Sequence, residues 1–181
     1  MTPHTAAEAA ARAAVTIRVA AAADLPEVLR VQHTAFTRVA CGAGIDPQAM
    51  SPVRESLEDL QRLQEGGMRT LVAVDGDRVV GTVRGALTPA ATLEVGRLGV
   101  DDGFEKRGIG AALMLALEDH FPEATRYELY TAKQATGPIR LYESLGYRIF
   151  RERSQPDWDM VWLEKVPAGP APTAPDSAPL H

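Results

Sequence analysis

The chain has 181 residues, 45% hydrophobic and 24% charged, enough for one domain with a proper core and too few for two ordinary ones. Nineteen basic and 24 acidic side chains leave a net charge of −5, which opposes binding to nucleic-acid phosphates and mildly favours a cationic partner such as an amine. No apolar run approaches the roughly 20 residues of a membrane span, and the Ala-rich stretch at 5–15, interrupted by Glu8 and Arg12, makes a poor signal peptide, so a cytoplasmic protein with no membrane partner is expected.

Residues 1–14 are low in complexity and read as a flexible N-terminal segment, frayed or a short loose helix, and the Pro/Ala-rich stretch 167–181 reads as a disordered tail. One domain over 15–166 lies between them. VTIRVA at 15–20 alternates like a strand. Asp24 then stands before a helical pattern through Phe36, with Pro26 in its first turn, and CGAGIDP at 41–47 ends that helix in a loop. Ser51 and Pro52 open a second helix to about Gln64, stopped by Gly66 and Gly67. Two β-branched runs around Asp75-Gly76-Asp77 predict a hairpin, and ATLEVGRLGV at 91–100 a further strand whose glycines mark a bulge or a close backbone approach. A long helix is expected from about Arg107 to Phe121, a strand over 126–132, a short helix from Pro138 to Leu145, and two closing strands. This order indicates an α/β or α+β sheet of about seven strands with about four helices on its faces.

Cys41 is the only cysteine, so no internal disulfide can form and a thiolate-rich metal site is excluded. The four histidines are scattered, none at the spacing that puts two imidazoles on one helix face, and no metal is expected.

The stretch DGFEKRGIGAALM at 102–114 sets Gly108 and Gly110 at the mouth of the long helix, behind Lys106 and Arg107. Helix N-termini carry unpaired N–H donors and a partial positive charge, and glycine lets an anion come close to them. A pyrophosphate would fit there. A Walker loop needs Gly-Lys-Ser/Thr, which is absent, and a dinucleotide fingerprint needs a third glycine directly after a strand. A plain glycine-rich turn remains the bland alternative.

LGVDDGFEKRGIGAALM at 98–114 resembles the strand, turn and helix of the GNAT superfamily of N-acetyltransferases, and RLYESLGYRIF at 140–150 resembles its second signature. The resemblance covers about residues 15–166. It implies a mixed, mostly antiparallel sheet with splayed central strands forming a CoA cleft, acetyl-CoA as cosubstrate, and an amine acceptor, either a small molecule or a peptide. Members of that superfamily often dimerise, so a homodimer stands among the expected partners. By matching position, Lys106, Arg107, Gly108, Ile109, Gly110 and Ala111 would hold the pyrophosphate, and the backbone of Leu98, Gly99 and Val100 would bind the pantetheine arm. Tyr142 matches the tyrosine that protonates the departing thiolate, and Glu94 falls where histone-acetylating members carry a general-base glutamate. Glu94 also shares nominal strand parity with Leu98, although it reads equally as a solvated residue or a partner of Arg97.

Two positions depart from the family pattern. Glu105 replaces the usual Gln or Arg, so its carboxylate must turn away from phosphates, to solvent or to Lys106 or Arg107; Ala135 replaces an Asn. Tyr130 is a weaker substitute for the acid, and Trp158 and Trp162 read as packing residues. The resemblance places acceptor choice in the loop Val39–Pro52 and near Ser154–Asp159, where Asp46, Asp157 and Asp159 could attract a cationic amine. The implied reaction is direct acetyl transfer in a ternary complex. The alternatives are a non-catalytic acyl-CoA sensor or partner module of the same fold, and an unrelated phosphate-ligand protein.

Overall fold

The β-branched runs around Gly76 pair as expected: β2 (Arg69–Asp75) and β3 (Arg78–Leu87) form the predicted antiparallel hairpin. The computed structural model describes residues 5–167. Around this hairpin stand β1 (Thr16–Val19), β4 (Thr92–Val100), β5 (Arg126–Ala132), β6 (Arg148–Arg153) and β7 (Met160–Lys165), in one seven-stranded sheet of order β1-β2-β3-β4-β5-β7-β6. Every neighbouring pair is antiparallel except β4–β5. Those two strands are joined only through Thr92–Glu94 and Arg126–Glu128, and beyond these residues they carry no mutual pairing.

Among the described residues six α-helices cover the sheet where about four were expected: α1 (Ala6–Ala13), α2 (Leu25–Ala43), α3 (Ser51–Arg54), α4 (Leu57–Glu65), α5 (Ile109–Asp119) and α6 (Thr136–Ser144). Two local causes account for the difference. The N-terminal segment, read as frayed or a short loose helix, is helical over Ala6–Ala13, with Thr5 and Glu8 forming a capping box and Ala14 closing it in the left-handed conformation. Alanine has the highest helix propensity and lets helices approach closely, and Ala13, only 6% exposed, joins the core cluster of α5. The stretch 51–64, read as one helix, breaks at Glu55, whose ψ of 134° is extended; Ser56 then caps a new helix in a box with Asp59.

A third boundary moves the other way. Helix α2 does not stop at CGAGIDP but runs on to Ala43, ending where Gly44 turns left-handed at φ 71° and the Ile45 N–H reaches back to the Ala40 carbonyl at 2.9 Å. The expected tail at 168–181 lies outside the described residues. None of the described helices is long and apolar enough to cross a membrane.

Helices α2 and α5 lie on opposite faces of the sheet, each closing its own core. Val28, Val31 and Leu60 pack over Val72 and Val79, while Ile109, Leu113 and Leu117 pack over Leu71, Val83 and Leu93. Leu113 is fully buried at the centre of the second cluster. Leu113→Ala should lower stability by about 2–5 kcal/mol, since the helix cannot collapse into the space. Urea unfolding reads this as a lower midpoint at unchanged slope.

Candidate active site

The divergence of β4 and β5 creates the site, and a bulge in β4 shapes it. Thr82 pairs with Gly99 and Arg84 with Gly96, so Val83 faces two residues, Arg97 and Leu98. Arg97 takes the left-handed conformation at φ 57°, a strained one for a side chain of this size. The extra residue reverses side-chain parity. Leu93 and Val95 point to the α5 core before the bulge, and Leu98 does so after it. The outer end of β4 is pinned by Asp101, only 2% exposed, which accepts from Arg30 at 2.9 Å and Arg78 at 2.5 Å. Its carboxyl stays below its ordinary value because the two guanidiniums outweigh the cost of burial.

The glycine turn opens α5 on a groove of about 470 Å³, bordered by Leu98–Val100, Gly108–Ala111 and α6. Gly108 caps the helix at φ 86°, which a residue with a Cβ adopts only with strain, and accepts the first helical bond from the Ala112 N–H at 3.0 Å. The N–H groups before Ala112 are those a helix leaves without an internal acceptor. Gly110 has a different reason to be glycine: a Cβ there would stand 3.0 Å from Leu141 Cδ2, so its absence lets α6 close against α5. Ile109 is 1% exposed in the core and can offer the groove only its backbone. The Val100 carbonyl already accepts from Arg38 at 3.0 Å, which leaves it one lone pair.

Two charges of the turn lie where the sequence did not place them. Arg107 folds away from the groove, its guanidinium 4.6 Å from the Phe104 ring centre and bonded to the Gly103 carbonyl at 3.0 Å. Of the two cations, Lys106 borders the groove and Arg107 does not. Glu105 pairs with neither of them. It accepts from the Gly103 N–H at 2.7 Å and meets Arg38 of α2 at 3.2 Å, while Arg38 also binds Asp102. The Glu105 carboxyl lies below its ordinary value, first through the hydrogen bond from its own N–H, with the Arg38 charge adding to it.

At its inner end the groove meets a second cavity of about 120 Å³ between β4, β5 and α2. Tyr142 lines both, as do Leu98 and Pro138. Its ring is 8% exposed and lies 6.1 Å from that of Tyr147. Burial pushes the Tyr142 phenol up to about 12. The Tyr147 hydroxyl donates to Glu118 at 2.9 Å, and Glu118 also takes Lys165 at 2.5 Å, an anchor that fixes the ring behind Tyr142. Tyr130 stands at the cavity mouth, 55% exposed, and Trp158 forms part of the wall.

Glu94 is not brought to this junction. The bulge cancels the nominal parity it shares with Leu98, so the two side chains point to opposite faces of the sheet. Glu94 is exposed and borders a shallow recess with Met68, Arg84, Arg97 and Tyr130. Among the described residues it forms no ion pair, with Arg97 or any other cation. Asp46 caps a short turn through the Gln48 N–H, and neither it nor Asp157 nor Asp159 lines the cavity.

The acetyltransferase (GNAT) family model matches residues 30–147, about two thirds of the sequence. The chain belongs to that family. It shares its fold with the PaiA N-acetyltransferase of Thermoplasma acidophilum in complex with coenzyme A, at a TM-score of 0.72 and 19% identity over 84% of this chain and 98% of that one. A ribosomal-protein-alanine N-acetyltransferase of Brucella melitensis gives 0.68 and 21% over 83% and 99%. The yncA protein of Salmonella typhimurium, solved with its cofactor acetyl-CoA, gives 0.66 and 20% over 91% and 99%. No curated protein sequence matches the chain.

This GNAT acetyltransferase also buries a carboxylate that no motif announced. Glu55, in the break between α3 and α4, accepts from Arg84 at 2.7 and 2.8 Å and from Gln32 at 2.7 Å. The Glu55 and Arg84 side chains are 8% and 9% exposed. The pair ties the α3–α4 corner to β3 beneath the second cavity. Glu55→Ala should cost about 3–5 kcal/mol, because it strands the Arg84 guanidinium without its partner. A urea midpoint shift equivalent to less than about 1 kcal/mol would show that Arg84 is rehydrated instead.

Proposed function

We propose that this protein transfers the acetyl group of acetyl-CoA to a primary amine of a small molecule or peptide, by direct attack in a ternary complex. The observation that carries the reading is the meeting of the two cavities at Tyr142, one ending on a helix N-terminus and the other closed by apolar walls. A diphosphate fits the first, because the N–H groups of Gly108–Ala111 and the Lys106 ammonium present positive charge there and Glu105 is held aside by Arg38. The exposed edge of β4 at Leu98–Val100 offers main-chain groups to an extended arm between the two.

Acetyl-CoA supplies a thioester, whose carbonyl the amine attacks and whose sulfur leaves as thiolate. Tyr142 donates the proton that the sulfur needs. Its phenol, raised to about 12, stays protonated at every physiological pH. The same dry surroundings raise the basicity of a thiolate, so donor and acceptor rise together. Backbone N–H groups of the splayed strand polarise the carbonyl. Glu94 stands behind the Val95–Arg97 wall, outside the cavity, so the proton released by the amine passes to solvent water at the cavity mouth beside Tyr130.

Isothermal titration with acetyl-CoA and a free-thiol assay across amines and peptides test the reading; absence of both heat and thiol release refutes it. Tyr142→Phe should lower kcat about 100-fold or more with acetyl-CoA affinity unchanged. Because burial raises the phenol pKa, the proton is kept to higher pH than in free tyrosine. The rate gained through Tyr142 should therefore persist past pH ~10, where an ordinary phenol is half ionised. Arg38→Ala should weaken acetyl-CoA binding by freeing the Glu105 carboxylate, and adding Glu105→Gln should restore it. A Kd that stays weak in the double variant would mean that Arg38 acts on the groove directly.

A further inference from the structure

The cavity beside Tyr142 has apolar walls with one charged residue in its lining, Arg97. The bulge puts it there: at φ 57° the strained backbone turns the side chain away from the α5 core and toward α3. The side chain is 17% exposed. Its Nη2 donates to Ser51 Oγ at 3.2 Å and stands 3.8 Å from Glu55, beyond hydrogen-bond length. Its Nε is buried and finds no partner among the described residues. Glu55 is meanwhile held by Arg84 in a two-pronged grip. Two guanidiniums thus share one buried carboxylate, and the surplus positive charge lies at the cavity wall. Burial, with the Arg84 charge after it, lowers the Arg97 pKa, against the opposing pull of Glu55 and the Tyr130 hydroxyl. Glu94 lies on the outer, solvated side and forms no ion pair with either.

Resting on the acetyl-transfer reading, we propose that Arg97 binds a carboxylate of the acceptor. The acceptor is then a small molecule whose primary amine and carboxylate lie a few bonds apart, as in a free amino acid. A carboxylate in the cavity neutralises the surplus charge, and the outer nitrogens of a guanidinium are shaped to take it with two parallel bonds. Size agrees: about 120 Å³ is somewhat less than the ~150 Å³ that admits a benzene ring, so amine and anion must sit close together. A polyamine, whose second ammonium would meet Arg97, is disfavoured.

The test is thiol release from acetyl-CoA with amino acids, β-alanine included, each set beside its own amide and its decarboxylated amine. At least one carboxylate-bearing acceptor should exceed its amide about tenfold or more in kcat/KM, as a site whose cation is left without counter-charge rejects the analogue that cannot supply it. Arg97→Gln should erase that preference, chiefly through KM, while thermal midpoint and acetyl-CoA Kd report an intact fold. Arg97→Lys, which keeps the charge but not the fork, should restore the preference in part. Acetylation of amides, simple amines or peptides as fast as the free acids would overturn the assignment and leave acetyl transfer standing. So would a preference that survives Arg97→Gln. Thiol release from no acceptor at all would remove both.

Discussion

One extra residue in β4 is the constraint on which the rest of the site depends. Upstream of the bulge, β4 pairs with β5 and its core residues pack on α5; downstream it is held by β3 and the two central strands part. A sheet that opens in its middle exposes main-chain groups that would otherwise be paired, at a cost comparable to several lost hydrogen bonds. Here the cost is offset by fastening both sides of the gap. Asp101 ties the end of β4 to Arg30 of α2 and Arg78 of β3, and β5 is paired with β7 from Tyr127 to Ala132. The opening is therefore a rigid cleft, and the strain at Arg97 is sustained by the ladder on its other edge.

The two faces of this sheet carry different electrostatics. On the α5 face the core is apolar except for Glu118, which binds Tyr147 and Lys165 and so stiffens the wall behind Tyr142. On the α2 face the charges are buried as a cluster, Glu55 between Arg84, Gln32 and the more distant Arg97. A buried ion pair adds little net stability over well-packed apolar residues. Its effect here is geometric: it fixes the corner between α3 and α4, where the chain turns beneath the second cavity.

What the sequence made legible was local. The hairpin around Gly76, the strand over 126–132 and the two signatures at Gly108 and Tyr142 are each written in a few consecutive residues, and they fold as written. The helix signatures at Ser56 and Gly44 were equally local and went unread, because a capping box inside an apolar-periodic stretch looks like more helix, while the loose helix expected in the alanine run is fastened by the Thr5 box. The misplaced side chains have another cause. Glu94, Arg97 and Leu98 change faces through a bulge set by the pairing of β3, about 15 residues away in sequence. Glu55 and Arg84 are 29 residues apart and meet only once α3 and α4 are docked. Periodicity along one strand cannot report such relations.

The departure at Glu105 shows how a fold absorbs a residue that its local chemistry opposes. A carboxylate at the mouth of an anion-binding turn would by itself repel phosphate, and neither neighbouring cation neutralises it, since Arg107 stacks on Phe104 and Lys106 faces the groove. The compensation comes from α2, whose Arg38 reaches Glu105, Asp102 and the Val100 carbonyl at once. Glu105 thereby becomes a clasp: it accepts from the Gly103 N–H, holds the turn against α2, and leaves Lys106 unopposed. Arg38 lies before Cys41, so α2 carries it over the groove whether or not the helix enters CGAGIDP, and Arg38 and the acidic residue of the turn are parts of one arrangement.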